Sequence, residues 1–142
     1  MLSNPVVVHF KDGNITKGYL KKFAFYRDEF ILLEVDKKNK IKSKGEKSID
    51  VANIKAIFFV RDLEGNKDYQ ERLDMAREGF GDRVEVTFDD GEHIVGYAKD
   101  HSAKQNGFIL YPADSNSNNY IVGVFHSSIK DIKVMEGDLA TA

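Results

Sequence analysis

Sliding the chain against itself by 78 residues pairs Val6, Val8 and Phe10 with Val84, Val86 and Phe88, and Asp12-Gly13 with Asp90-Gly91. The same shift pairs Gly18-Tyr19 with Gly96-Tyr97, and Phe30-Ile31-Leu32 with Phe108-Ile109-Leu110. A shortening of three residues then brings Ile54-Lys55 and Ile57 onto Ile129-Lys130 and Ile132. Residue types that agree at turn, strand and closing-strand positions in the same order predict a duplicated unit, covering about residues 5–60 and 83–135.

Each copy reads as a series of strands. Val6, Val8 and Phe10, like Val84, Val86 and Phe88, recur at every second position, so that their side chains can face one core. Asp-Gly then turns the chain, because glycine accepts the positive φ of a tight hairpin. The next strand, 15–23 or 93–99, carries Gly18 or Gly96 inside it, where a missing side chain permits a bulge or a sharp bend. Phe30 to Leu33 and Phe108 to Tyr111 give a third strand, Lys47 to Val51 and Tyr120 to Phe125 a fourth, and Ile54 to Val60 and Ile129 to Met135 a fifth. Five short, bent strands predict a small barrel. Between the copies, Asn66 is placed to cap a helix over about 67–78, with Tyr69, Leu73 and Ala76 along one side and Gly79 and Gly81 ending it. The expected organisation is a first barrel over 1–61, a linker with a short α-helix over 62–82, and a second barrel over 83–142.

The unit resembles the Sm-like fold, a small SH3-like barrel. Val8, Phe10, Asp12-Gly13, Gly18, Leu20, Phe23 and Ile31 fit its pattern in the first copy, and Val86, Phe88, Asp90-Gly91, Gly96, Ala98 and His101 follow the same frame in the second. The resemblance implies a mainly β protein of two Sm-like barrels, ring-type assembly through barrel edges, and RNA binding. At the positions that bind RNA in that family, Tyr26 is the aromatic residue and Asp28 stands in place of the Asn. In the second copy Asn106 matches and Lys104 replaces the aromatic. The family's Arg-Gly is replaced by Asp50-Val51 and Phe125-His126. The phrases from Phe58 to Asn66, Gly107 to Asp114 and Ser117 to Asn119 are also similar to an uncharacterised bacterial family of the same double organisation.

Composition narrows the chemistry. The chain has no cysteine, which removes disulfides, thiolate catalysis and Cys-based zinc sites and fits a cytoplasmic setting. Neither a signal peptide nor an apolar membrane span is expected. The net charge of −2 divides unevenly: residues 1–61 hold 13 Lys/Arg against 7 Asp/Glu (+6), and residues 62–142 hold 8 against 16 (−8). A basic half can face phosphates or an acidic partner, or the other half. Lys37, Lys38, Lys40, Lys42, Lys44 and Lys47 can equally solvate one exposed loop.

No catalytic constellation stands out, and the expectation is a protein without cofactor, metal or enzymatic activity. His9, His93, His101 and His126 are scattered. Asp114, Asn116 and Asn118 have the spacing that opens a calcium loop, but Asn119 and Phe125 replace its turn glycine and closing glutamate. Asp89, Asp90 and Glu92 crowd one hairpin tip, where solvent would keep them ordinary carboxylates.

Two binding modes remain. In the first, a binding or regulatory module acts through protein–protein contact or self-association. The apolar, β-prone run Ile57, Phe58, Phe59 and Val60 then serves as an edge strand for pairing, although the same residues can fill the barrel and the interface between the copies. In the second, Lys17, Lys21, Lys22, Tyr26 and Arg27 interleave cations with an aromatic ring and form an RNA contact on the basic first copy.

Overall fold

The computed structural model describes residues 5–65, 68–72, 75–77, 79–102 and 104–135. Alternation does build the first strand: Val6 and Val8 are fully buried in β1 (Pro5–Phe10) while their neighbours are half-exposed. Asp12-Gly13 turns it, with Gly13 at φ 92°, into β2 (Ile15–Lys21). Gly18 is required there by proximity, since a Cβ would lie 2.2 Å from the Leu33 carbonyl oxygen on the neighbouring strand. β3 (Glu29–Val35), β4 (Ile41–Asp50) and β5 (Ile54–Val60) follow, the last two separated by a 3₁₀ turn at Val51–Asn53.

The second half repeats the series as β6 (Asp82–Phe88), β7 (His93–Ala98), β8 (Gly107–Pro112), β9 (Asn119–Phe125) and β10 (Ile129–Val134), with a 3₁₀ turn at His126–Ser128. Gly91 repeats the turn at φ 91°. Pairing registers correspond as well: Val8 opposite Ile57 matches Val86 opposite Ile132, and Leu32 opposite Lys47 matches Leu110 opposite Val122. Even the irregularity after His9 on the β1–β5 ladder recurs on the β10–β6 ladder, between Ile129 and Asp131.

The expected pair of separate barrels joined by an α-helix is overturned. All ten strands form one open antiparallel sheet in the order β10-β6-β7-β8-β9-β5-β1-β2-β3-β4, because β5 pairs with β9 as well as with β1. No α-helix occurs among the described residues. In place of a helix, Tyr69 donates its hydroxyl proton to Asp114, and the Arg72 N–H bonds the same carboxylate at 3.0 Å instead of a carbonyl one turn earlier. The Met75 carbonyl accepts the Tyr97 hydroxyl at 3.1 Å. Tertiary partners thus take backbone groups a helix would use, and the segment runs as a strap across the second half. The helix positions Asn66, Lys67, Leu73 and Glu78 lie outside the described residues.

Two cores result, and they share the central joint. The first gathers Val6, Val8, Phe30, Leu32, Ile54 and Ile57, and takes in Phe125 from the second half, whose ring lies 5.7 Å from Phe25 and 6.3 Å from Phe23. The second gathers Val84, Val86, Phe88, Phe108, Leu110, Val122 and Val124 around Ala56. Along β5, Ile57 and Phe59 therefore serve one core and Ala56 and Phe58 the other. On the opposite face a smaller cluster packs Leu63 with Val35 and Val60, against Val7, Tyr19 and Phe58.

Candidate functional site

Among the described residues the open sheet ends in two unpaired edges, β4 and β10. β4 is the longer, ten residues, broken by a bulge in which Lys42 to Gly45 stand against Glu34 alone, and only Gly45 and Ile49 are buried along it. Its hairpin is shaped by Asp36, whose Oδ1 accepts the N–H groups of Lys38 at 2.8 Å and Lys40 at 3.1 Å, with Asn39 at φ 62°. These bonds from Lys40 and Lys38 hold the Asp36 carboxyl below its ordinary value. Lys42 and Lys47 each reach Glu34 at 3.0 Å, and Lys21 lies 3.5 Å from Glu46. Burial pushes the Glu34 carboxyl up, but the hydrogen bonds from the two lysines outweigh it and leave the carboxyl below the usual range. Only the hairpin of the lysine-rich stretch is loop, since Lys42, Lys44 and Lys47 stand on the edge strand itself.

The five residues read as an RNA contact are not brought together. Lys22, at φ 60°, Tyr26 and Arg27 share the loop after β2, with Tyr26 the most exposed of the large apolar side chains among the described residues at 77%. Lys21 ends β2 beside them. Lys17 stands four residues away, about 13 Å along an extended strand, and its ammonium donates to the Leu63 carbonyl at 2.7 Å. Phe23 and Phe25 of the same loop turn inward against the first core. Asn106 of the corresponding loop in the second half donates its side-chain amide to the Arg27 carbonyl at 2.8 Å, so the two loops lie side by side.

Ile57, Phe58, Phe59 and Val60, expected at an edge, lie in the middle of the sheet. On one side Ile57, Phe58 and Phe59 face Val8, Val7 and Val6, and on the other they face Gly123, Val122 and Ile121. Their backbone groups are committed to two ladders, and the free edges lie elsewhere. The expected fourth strand, Lys47 to Val51, covers the end of β4; its start at Ile41 lies in the stretch read as a lysine loop, where a bulge opposite Glu34 removes any regular strand period.

Other polar groups make internal contacts. Lys55 reaches Asp90 at 2.7 Å and Glu92 at 2.6 Å, with its ammonium 4.9 Å from the Phe88 ring centre. Its hydrogen bond holds Asp90 below the ordinary carboxylate range, the reverse of mutual elevation among crowded acids. Asp114, 1% exposed, is a hub for the strap, and Asn118 exchanges hydrogen bonds with the Asp62 backbone. His9 lies half-buried against Phe58, and burial, then Lys55, lowers its pKa. Among the described residues no three acidic or histidine side chains are grouped to hold a metal ion, and no helix is long and apolar enough to cross a membrane.

A family model described as "Family of unknown function (DUF6982)" matches residues 2–136. The chain belongs to the DUF6982 family. Neither the curated proteins nor the solved structures give a match. Membership of DUF6982 therefore covers both halves of the sheet and brings no assigned activity with it.

Proposed function

We propose that the chain is a non-catalytic interaction module that takes an extended, acidic segment of a partner protein along β4, as an added strand. The observation that carries this reading is the β4 edge, bulged between Ile41 and Glu46, which has no second partner strand among the described residues and carries Lys44 with Lys42 and Lys47, the last two paired with Glu34. Open edges offer a row of backbone donors and acceptors, and lysines on them discourage indiscriminate pairing while favouring an acidic strand. We place this activity in the cytoplasm, in keeping with the cysteine-free sequence.

Register supports a foreign segment over a second copy. At the internal joint Phe58 faces Val122 and Phe59 faces Ile121. The corresponding positions on the free edges are Lys133 and Lys47, then Val134 and Glu46. Pairing β10 of one copy with β4 of another in that register opposes like charges, which destabilises a sheet.

The test is fluorescence anisotropy with a labelled ten-residue peptide that alternates valine and glutamate. Saturable binding, lost when alternate peptide amides are N-methylated, is expected. Equal binding by the methylated peptide rules out strand addition.

A second reading, RNA binding by the first half, is favoured by Tyr26, exposed between Lys22 and Arg27 on one loop. It requires single-stranded RNA binding that weakens with salt and with charge reversal at Lys21, Lys22 and Arg27. Salt-insensitive binding would remove it.

A further inference from the structure

Asp36 and Asp114 stand at corresponding positions just beyond β3 and β8. Each turns its Oδ1 to the amide two residues on, Lys38 and Asn116, both at 2.8 Å. They differ in the second oxygen. Oδ2 of Asp114 accepts the Tyr69 hydroxyl and the Arg72 N–H, and so pins the strap. Among the described residues no donor reaches Oδ2 of Asp36, which is exposed.

The surroundings correspond too. In the second half the strap's Glu71 lines a small groove with His93, Ile94, Val95 and Pro112, and its carboxylate is hydrogen-bonded to Ser117. In the first half the corresponding residues Ile15, Thr16, Lys17 and Glu34 line an open groove of about 530 Å³ with Asp36, Lys37 and Lys42. No strap crosses it among the described residues. Ile15, half-exposed at 51%, stays uncovered.

We infer that this groove seats an extended acidic segment of a partner protein carrying an aromatic hydroxyl, which hydrogen-bonds Asp36 as Tyr69 bonds Asp114. Charge is compatible with the occupant: Lys42 is paired with Glu34 at 3.0 Å, which leaves Lys37 beside Asp36 to meet an acidic group such as the strap carries in Glu71. The inference rests on the reading of the chain as an interaction module. It adds where on the first half the partner lies and what it must carry, and it does not require pairing with β4.

The experiment uses the full chain and a fluorescent peptide of residues 68–77, read by anisotropy. Saturable binding is expected, weakened about tenfold by Asp36→Asn or by phenylalanine at the peptide's tyrosine, as for loss of one hydrogen bond to a charged group. Asp36→Asn keeps Oδ1 for the Lys38 and Lys40 amides, and circular dichroism verifies that the fold is retained. Absence of saturable binding, or equal affinity in Asp36→Asn, overturns the inference. A dimer of the protein alone that disappears in Asp36→Asn overturns the choice of a foreign segment, because a second copy would then be the source. The valine-glutamate peptide separates the two readings: strand addition fails if it does not bind, whereas Asp36→Asn should leave its affinity unchanged.

Discussion

The Lys55 ammonium, on β5, lies 2.7 Å from the Asp90 carboxylate at the tip of the β6–β7 hairpin. With Glu92 at 2.6 Å, it ties that tip to the central joint and helps close the second core over Phe88.

A pH window follows. Asp90 is held below its ordinary value, so its contribution is present above the unfolded carboxylate value and is lost as pH falls through the folded one. Burial lowers the Lys55 pKa, but hydrogen bonds with Asp90 and Glu92 outweigh it and raise the net value. That contribution is present below the unfolded lysine value and is lost as pH rises through the folded one. The contact therefore stabilises between about pH 4 and about pH 10. A double-mutant cycle on Lys55→Met and Asp90→Asn should give a coupling of at most about 1 kcal/mol at pH 7, because the carboxylate is half-solvated. The coupling should vanish at pH 2, as read by urea denaturation.

Phe125→Ala should cost about 3–5 kcal/mol in the same measurement, the loss expected for an aromatic ring removed from a core. The lost packing lies in the first core although the residue belongs to the second half. Residues 1–61 made alone lack both this ring and β9, and should show no cooperative urea transition.

Asp114→Ala should free the strap. Loss of the acceptor for the Tyr69 hydroxyl and the Arg72 and Asn116 amides should cost about 1–3 kcal/mol. Trypsin should then cut at Arg72 or Arg77 much faster than in the parent, with peptide mapping as the measurement. Hydrogen bonds from Tyr69 and then from Arg72 hold the Asp114 carboxyl below its usual range. Its contribution is thus present above the unfolded value and disappears as pH falls through the folded one.

Lys47→Val combined with Lys133→Val should remove the like charges that oppose edge-to-edge pairing between copies. Size-exclusion chromatography with light scattering should then show concentration-dependent association absent from the parent. A double variant that stays monomeric would remove like charge as a barrier to edge pairing.

Several elements are legible in the sequence because one residue type can satisfy them. The Asp-Gly turns need positive φ; Gly18 and Gly96 are legible only as positions without a side chain, since the ladders run through them without a bulge and what they admit is a neighbouring strand's carbonyl. Alternating Val6, Val8 and Phe10 need one core. The strap is not legible: Tyr69, Leu73 and Ala76 have helical spacing, but the competing acceptor, Asp114, lies 45 residues from Tyr69. Local spacing carries no information about such a partner. The end of β4 is legible as the expected strand from Lys47, but its first half hides for a different reason, since Ile41 to Lys44 are all exposed and carry no apolar period to read. The run from Ile57 to Val60 is apolar at consecutive positions, a pattern shared by a sticky edge and by a strand packed on both faces. Its position between β1 and β9 makes it the latter. For the candidate surface, the lysines are visible in the sequence, but their placement on an edge strand depends on the long-range ladder with β3.

Because β5 shows Ile57 and Phe59 to one core and Ala56 and Phe58 to the other, its alignment is read twice. Sliding it by one residue would deliver the two phenylalanines to each other's compartments and put Ala56 where a branched side chain belongs. Both halves would reject the error at once, so a single strand acts as a gauge that keeps all ten in step.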